Sequence, residues 1–401
     1  MSQVRLRVFF VDDESRVLQG LQRMLRPLRD MWDMVFIEGG EAALIAMASN
    51  PADVIVSDMR MPIMSGAQLL TQIMHLYPAT VRLILSGQAD LQLIHSTIGP
   101  VHQYLAKPCD AELLRSTIER AAHLREALDG NLRSLVGGIE NLPCLPAEHQ
   151  ALVNGLKAGA SGRTAVRAAV ASDLGMAMKV LQLMNSAFFG SPRNIYRIDE
   201  AVDLLGIETM QVLAGPLAAF KPVDEVQFAG FPAEWLWHHA RHVAELAARI
   251  AQSEGATPVE IDVARTAGLL HDVGHLILAL VLTDKRSEFY TLLNYRETVA
   301  EDRDRLLLGT SHAEVGAYLM SLWGLPPLIV DAVAGHHRAE LDAEAPIATR
   351  AVRAADALLH HLAEGHEDTH SELARLGTPA QIPAWLALAR TVTTTIPGNL
   401  T

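Results

Sequence analysis

Residues 54–66 read Val-Ile-Val-Ser-Asp-Met-Arg-Met-Pro-Ile-Met-Ser-Gly, and this stretch decides the fold of the first part of the chain. Val54–Ser57 is a short and mostly apolar run, which is typical of a strand covered on both faces of a parallel sheet. Asp58 follows at the carboxyl end of that run, and Pro62 then interrupts the connection to a helical pattern that starts at Gly66. The stretch predicts a central strand that ends in a carboxylate and leads into a helix.

Similar units flank this stretch from residue 4 to about residue 125. Short apolar runs alternate with helix-length amphipathic patterns such as Val17–Leu28 and Gly66–Leu76. The predicted strands are Leu6–Val11, Met34–Ile37, Val54–Ser57, Val81–Ser86 and Gln103–Ala106. This alternation predicts an α/β domain with a five-stranded, doubly wound parallel sheet.

Polar side chains stand at the carboxyl ends of these strands, where ligands bind in open parallel sheets. They are Asp12 and Asp13 after the first strand, Asp58 after the third, Ser86 at the end of the fourth and Lys107 after the fifth. Three carboxylates form an oxygen-rich pocket suited to Mg²⁺, and a hydroxyl and an ammonium group can hold phosphoryl oxygens. The pattern predicts metal-assisted phosphoryl transfer to a carboxylate.

Residues 4–125 resemble the receiver domain of two-component response regulators. The matching stretches are Val11–Glu14, Asp58–Gly66, Leu85–Gly87 and Lys107–Pro108. The resemblance implies that Asp58 is the phosphoacceptor and that Mg²⁺ is bound by Asp12, Asp13, Asp58 and the carbonyl of Arg60. It also implies a switch hydroxyl at Ser86, a phosphoryl contact at Lys107, an aromatic switch residue at Tyr104 and a cis Lys107–Pro108 bond.

A simpler interpretation of the three aspartates is that each caps the helix that follows its strand. One such aspartate would be unremarkable. Because five positions match in the right order on the right elements, we favour the phosphorylation site.

The amino-acid composition excludes several classes of protein. Of 401 residues, 50% are hydrophobic and 20% are charged, which fits packed globular domains and excludes a mainly disordered chain. The formal net charge of −13 argues against non-specific binding to DNA or to anionic membranes. The two cysteines, Cys109 and Cys144, are too few for a disulfide framework, and no apolar run is long enough to span a membrane. We expect a cytoplasmic protein.

After Pro143 the apolar residues recur at three and four positions, and prolines divide the chain into about a dozen predicted helices. Residues 145–370 are therefore predicted to be all-α, with a junction near residue 220. The predicted layout is a receiver domain (1–125), a linker helix (126–141), a first helical lobe (142–220), a second helical lobe (221–370) and a peripheral C-terminal segment (371–401).

The helical region contains a second group of candidate ligands. They are His239, His271, Asp272, His312, His336, His337 and Asp356. Imidazoles with carboxylates suit Fe, Mn, Zn, Co or Ni. Seven ligands exceed one tetrahedral site, so an aspartate between two groups of histidines would bridge two ions.

This group resembles the HD superfamily of metal-dependent phosphohydrolases, whose members include the HD-GYP cyclic-di-GMP phosphodiesterases. The resemblance implies one metal at His239, His271, Asp272 and Asp356, and another at Asp272, His312, His336 and His337. The stretches Leu142–Pro146, Val180–Gly190 and Ala201–Gly206 narrow the resemblance to the HDOD family. Members of that family are commonly regarded as signalling outputs.

Three departures argue against an HD-GYP enzyme. No Gly-Tyr-Pro follows His337, and the loop there is acidic, with Glu340, Asp342 and Glu344. His275 and Trp235 stand where such enzymes often carry Lys and Glu. Other histidines are predicted to be helix-end or surface residues, namely His238, His242, His360, His361, His366 and His370. Trp235, Trp237 and Trp323 are predicted core residues.

Two functions remain open from the sequence. The leading one is a phosphorylated signalling regulator whose HDOD region binds metal and acts through a partner. The alternative is a phosphorylation-gated, metal-dependent phosphohydrolase that cleaves a cyclic dinucleotide. The predicted partners are a sensor histidine kinase and an unidentified protein or nucleotide. A homodimer is also compatible with the sequence, whereas direct DNA binding is not expected.

Overall fold

The computed structural model describes residues 5–87, 98–186, 193–215, 219–224, 228, 230–282, 304–338, 345–364, 376 and 381–396. The chain divides into two compact units. The first consists of Met1–Asn141, Gln182–Arg193 and Leu319–Gly324. The second consists of Leu142–Leu181, Asn194–Tyr318 and Leu325–Thr401.

The first unit is built on the predicted five-stranded sheet, which is confirmed. Its strands are β1 (Leu6–Asp12), β2 (Trp32–Glu38), β3 (Val54–Asp58), β4 (Val81–Ser86) and β5 (Gln103–Ala106). They are all parallel and lie in the order β2-β1-β3-β4-β5. Val11 pairs with Ser57, so the residues that end β1 and β3 are neighbours at the carboxyl edge of the sheet.

Within the described residues, three helices lie between strands of this unit, and two more follow β5. They are α1 (Ser15–Met24), α2 (Gly40–Ser49), α3 (Gly66–Leu76), α4 (Ala111–His123) and α5 (Gly130–Gly137). The predicted helix over 17–28 ends earlier, because Pro27 has no amide hydrogen to extend it and a 3₁₀ turn follows instead. Helix α3 matches its prediction and starts with a capping box between Ser65 and Gln68. A Cβ at Gly66 would lie 2.1 Å from the Asp58 carbonyl oxygen, so only glycine lets α3 start this close to β3.

The second unit is helical, as predicted. Its helices include α6 (Pro146–Lys157), α7 (Arg163–Ala171), α8 (Leu174–Met184), α9 (Ile198–Ala214), α10 (Ala233–Ser253), α11 (Pro258–Leu270), α12 (Val273–Val281), α13 (His312–Leu322), α14 (Pro327–Gly335), α15 (Ile347–Glu364) and α16 (Gln381–Thr395). One short parallel pairing, β6 (Pro143–Cys144) with β7 (Lys221–Pro222), was not predicted, because two residues are too few for an alternating pattern.

Helix α10 is the central helix of the second unit and packs against α11 and α15. Its contact with α11 is close, since a Cβ at Gly268 would lie 2.9 Å from the Cα of Ala244. Small side chains at the crossing let two apolar helices approach, and this brings the polar residues they carry within reach of one another. Within the described ranges, no helix combines the length and the apolarity needed to cross a membrane.

Within the C-terminal segment, the described residues 381–396 contain a helix that packs against other helices of the second unit, although their hydrophobic pattern is weak. Helix α16 contacts α10 and α15, and Trp385 on it is buried. The indole N–H of Trp385 and the amide of Gln381 both donate to Glu254, at 3.1 and 2.5 Å. These contacts depend on a residue about 130 positions earlier in the chain, which a local pattern does not reveal.

A buried carboxylate, Asp173, joins three segments of the second unit. It accepts the backbone N–H of Leu145 at 2.9 Å, the backbone N–H of Met176 at 2.9 Å and the indole N–H of Trp237 at 2.7 Å. Burial raises the pKa of Asp173 to about 6, although the three hydrogen bonds favour its charged form. This one side chain thereby holds α10 against the segments that start α6 and α8.

We predict that Asp173→Ala lowers the free energy of unfolding by about 2–4 kcal/mol, because it leaves three buried donors without an acceptor. Chemical denaturation followed by circular dichroism measures this change. The matched control is Asp203→Ala, which removes an exposed ion pair with Arg167 and should cost roughly 1 kcal/mol or less. Equal effects of the two substitutions would contradict the prediction.

Candidate phosphoryl site and metal cluster

The carboxyl edge of the sheet gathers the first set of predicted site residues. The ammonium group of Lys107 lies 2.9 Å from Oδ2 of Asp12 and 2.5 Å from Oδ1 of Asp58. The other oxygen of Asp58 accepts the backbone N–H of Arg60 at 2.6 Å. Burial opposes the charge of Lys107, but the two carboxylates outweigh it and raise the pKa of Lys107. A positively charged side chain and two negatively charged ones therefore lie within hydrogen-bonding distance at this edge of the sheet.

The remaining residues of this set lie on neighbouring strand ends. Asp13 follows Asp12 and is half-buried. Ser86 ends β4, and Tyr104 lies within β5, the strand next to β4, where it pairs with Ile84. Ser86 is 4% exposed and Tyr104 is 3% exposed. The Lys107–Pro108 bond is cis, as predicted.

All seven candidate ligands of the helical region lie in the second unit, in one cluster. His239 comes from α10, and His271 and Asp272 from the junction of α11 with α12. His312 starts α13, His336 and His337 follow α14, and Asp356 lies on α15. Their donor atoms form overlapping groups in which all atoms lie within 4.8 Å of one another. Positions up to 117 residues apart in sequence meet in this way.

Asp272 divides the histidines of the cluster into two sets. Its Oδ2 lies 3.3 Å from Nε2 of His271 and 4.0 Å from Nε2 of His239. Its Oδ1 lies 3.3 Å from Nε2 of His312 and 3.7 Å from Nε2 of His336. Ligand atoms bound to one transition metal ion at about 2.0–2.2 Å lie roughly 3–4 Å apart, so each oxygen has the spacing of a separate ion site.

The imidazole rings are held so that Nε2 points into the cluster. Nδ1 of His271 bonds the carbonyl of Gly268 at 2.8 Å, and Nδ1 of His336 bonds the carbonyl of Val333 at 2.6 Å. A carbonyl oxygen only accepts, so both Nδ1 atoms carry a proton, and in the neutral ring it is Nε2 that has the lone pair a metal ion would bind. These two Nε2 atoms are buried without a hydrogen-bond partner, which is the arrangement a metal ligand requires.

His312 is oriented by a carboxylate that the sequence analysis did not identify. Asp304 accepts both Nδ1–H of His312, at 2.6 Å, and the backbone N–H of His312, at 3.0 Å. Such carboxylate–histidine pairs fix the ring and raise its basicity as a ligand. Nothing in the local sequence around Asp304 separates it from a surface aspartate, and only its burial shows its role.

The charges of the cluster are strongly coupled. Burial disfavours the charged form of Asp272, but the charge of His271 and hydrogen bonds from the histidines hold the pKa of Asp272 well below its usual value. Burial likewise opposes the charged form of His312, yet Asp272 and Asp304 raise the pKa of His312 to about 10. The carboxylates of Asp272 and Asp304 therefore stabilise a positive charge on or next to the imidazole of His312.

Glycines allow the helices of the cluster to meet. A Cβ at Gly274 would lie 1.9 Å from the carbonyl oxygen of His312, so only glycine is compatible with this approach of α12 to α13. The residues His-Asp-Val-Gly at 271–274 thus supply two candidate ligands and the contact that brings a third to them.

Three residues near the cluster differ from their predicted environments, and one is His242, which is buried within α10 rather than at a helix end or on the surface. Trp235 is not in the core: its indole stacks on His239 with ring centres 5.0 Å apart. His360 is not merely a surface residue, because its Nε2 lies 3.5 Å from Oδ1 of Asp356. The fully buried Trp237 and Trp323 are core residues, as predicted.

His275 is also buried, and its ring stacks on His312 with centres 3.9 Å apart. Burial, followed by the charge of His312, lowers the pKa of His275 to about 3. The acidic loop with Glu340, Asp342 and Glu344 lies outside the described residues, as do His366 and His370.

Comparison with known families agrees with both halves of the chain. Residues 8–119 match the model of the response regulator receiver domain, and residues 142–339 match that of the HDOD domain. A solved structure, the MmoQ response regulator from Methylococcus capsulatus str. Bath, is similar with a TM-score of 0.50. The likeness covers 61% of this chain and 98% of that chain at 22% sequence identity, so it concerns the fold alone.

Two relatives match parts of the chain. An uncharacterized protein of Treponema pallidum (strain Nichols) is 22% identical over 228 residues, which are 57% of this chain and 44% of that protein. The DNA-binding transcriptional regulator NtrC of Salmonella typhimurium is 35% identical over 121 residues, which are 30% of this chain and 25% of that protein. The chain spans less than half the length of these relatives. The two family matches and the observed sheet and helices show that the chain is a response regulator in which a receiver domain is joined to an HDOD domain.

Proposed function

We propose that a sensor histidine kinase phosphorylates this response regulator on Asp58, and that its HDOD domain is a signalling output that binds divalent transition metal ions. In this proposal the output acts by binding a protein or a nucleotide. The observation that carries the first part is the convergence of Asp12, Asp58 and Lys107 at one edge of the sheet. The observation that carries the second is the division of the histidines between the two oxygens of Asp272.

The receiver chemistry follows from the geometry around Asp58. One carboxylate oxygen of Asp58 forms the new P–O bond while the bond from phosphorus to the kinase's histidine nitrogen breaks. Lys107, which is paired with Asp58, is placed to hold the phosphoryl oxygens after the transfer. Asp12, Asp13, Asp58 and the Arg60 carbonyl would hold Mg²⁺, which would supply positive charge to the transferring group.

Phosphorylation changes the charge at the end of β3, next to Ser86 and Tyr104. Ser86 is buried at the end of β4, the strand next to β3, and Tyr104 is buried on β5, one strand further, so we propose that these two side chains rearrange when Asp58 is phosphorylated. The rearrangement of this face of the receiver is the signal that we propose is passed to the output domain.

The HDOD cluster has the donor atoms to hold two ions, and Asp272 would be shared between them. His239, His271 and Asp356 lie on the Oδ2 side, and His312, His336 and His337 lie on the Oδ1 side. The fit rests on the Nε2 atoms of His271 and His336, which are buried, form no hydrogen bond and lie 3.3 and 3.7 Å from the oxygens of Asp272. Imidazole and carboxylate donors favour Fe, Mn, Zn, Co or Ni over Mg²⁺.

A binding function is favoured over phosphodiester hydrolysis by the position of His275. Its ring is buried against His312, and its low pKa leaves it uncharged near neutral pH. It therefore brings no positive charge to a substrate phosphate. Hydrolysis requires the phosphate to be held in line for attack, so metal ions alone are not sufficient.

We predict that Asp58 is the aspartate labelled by a small phosphodonor in the presence of Mg²⁺. Intact-mass spectrometry should show one labile phosphoryl group in the parent protein and none in Asp58→Asn. Asp53→Asn is the matched control, because Asp53 flanks the other end of β3 and pairs with Arg125. It should be labelled like the parent, and undiminished labelling of Asp58→Asn would sink the assignment.

We also predict that untagged protein contains about one to two transition metal ions per chain. Asp272→Ala should reduce occupancy of both positions, because each of its oxygens faces a different set of histidines. Elemental analysis after gel filtration measures the ratio of metal to protein. Asp262→Ala, on the neighbouring helix α11 but outside the cluster, should leave it unchanged. Metal-free parent protein would refute the metal site.

Finally, we predict little or no hydrolysis of cyclic dinucleotides, even with metal bound. Product formation is followed by chromatography with Mn²⁺, Fe²⁺, Co²⁺ or Ni²⁺, before and after receiver phosphorylation. The His271→Ala variant is the control for contaminating activity. Multiple turnovers in the parent that disappear in this variant would favour the phosphohydrolase instead.

A further inference from the structure

His360 extends the metal cluster beyond the seven residues identified from sequence. It lies on α15 four residues after Asp356, so the two side chains occupy the same face of the helix, one turn apart. Nε2 of His360 is 3.5 Å from Oδ1 of Asp356, and Nε2 of His239 is 2.8 Å from the same oxygen. The three donor atoms all lie within 4.8 Å of one another.

The surroundings of His360 distinguish it from an ordinary surface histidine. The rings of His239 and His360 have centres 4.6 Å apart, and the indole of Trp235 lies near both, at 5.0 and 6.1 Å. The His360 side chain is only 25% exposed, while those of His239 and Asp356 are 2% and 3% exposed. The imidazole thus lies at the edge of a buried donor group, between that group and solvent.

When His360 is included, each half of the cluster has one half-buried histidine. On the Oδ1 side of Asp272, the buried His312 and His336 are joined by the half-buried His337. On the other side, His239 and Asp356 are joined by the half-buried His360. Each half then has buried donors and one histidine within reach of solvent.

We propose that His360 is a metal ligand, and that His239, Asp356 and His360 hold an ion through two imidazole nitrogens and one carboxylate oxygen. This inference rests on the proposed metal-binding function and adds a residue to it. The donor set suits a divalent ion of the Zn, Co, Ni or Fe type. Because His360 is the most exposed of the three, this ion exchanges with solution through its side.

The test uses the untagged full-length protein loaded with Co²⁺. Parent, His360→Ala and His361→Ala are compared by metal content and by visible absorption of Co²⁺ during competition with a chelator. We expect His360→Ala to release one ion at least about tenfold faster and to change the Co²⁺ spectrum, as loss of a ligand requires. His361 is next to it on α15 and belongs to none of the donor groups among the described residues, so His361→Ala should behave like the parent.

The outcomes separate this inference from the proposed function. If the parent binds Co²⁺ and His360→Ala retains the same ions with the same spectrum, the role of His360 is refuted and the metal site stands. If the parent binds no metal, both are refuted. Should His360→Ala fail to fold, ¹⁵N-histidine NMR of the Zn²⁺-loaded parent gives the answer. Six imidazoles shifted by the metal support a ligand role for His360, and five exclude it.

Discussion

Burial of negative charge in the HDOD domain is the constraint on which the rest of that domain depends. Asp272, Asp304 and Asp356 are all nearly inaccessible to solvent. A carboxylate without a compensating cation is costly at such a depth, and the nearest groups that can compensate are imidazoles. Without metal, protons on His271 and His312 supply positive charge, which is why the pKa of each is raised. Under the proposed metal binding, ions would replace those protons, and metal uptake would depend on pH.

The helices around this cluster are arranged to bring its charges together. Glycine at 268 and at 274 removes the side chains that would keep α10 from α11 and α12 from α13. Backbone carbonyls of Gly268 and Val333 then fix the tautomer of two histidines, and Asp304 fixes that of a third. The apolar packing therefore determines ligand geometry, because each ring is oriented by the element that carries it or by a close neighbour.

In the receiver domain, charged side chains are also brought close together, but there the pairing of parallel strands is sufficient. In a parallel sheet, the carboxyl ends of adjacent strands lie side by side, so Asp12 and Asp58 meet because β1 pairs with β3. Lys107 arrives from the end of β5 and pairs with both. The register of the sheet is enough to build this site, whereas the HDOD cluster requires several helices to pack in a particular way.

This difference explains what could be predicted from sequence. The strands at 54–58 and 81–86 and the helix at 66–76 follow from local apolar patterns, and the positions of Asp58 and Lys107 follow from strand ends. The predicted seven-residue cluster depended on a resemblance between families, because its members are spread over more than 100 positions. Asp304, Trp235 and His360 could not be assigned from the sequence: each contacts a cluster residue close to it in the chain, but only the packing of the helices brings these side chains to the cluster. Local periodicity determines which residues form each helix or strand. Only tertiary packing determines which polar side chains become buried, and buried polar side chains must then pair with one another because they no longer contact water.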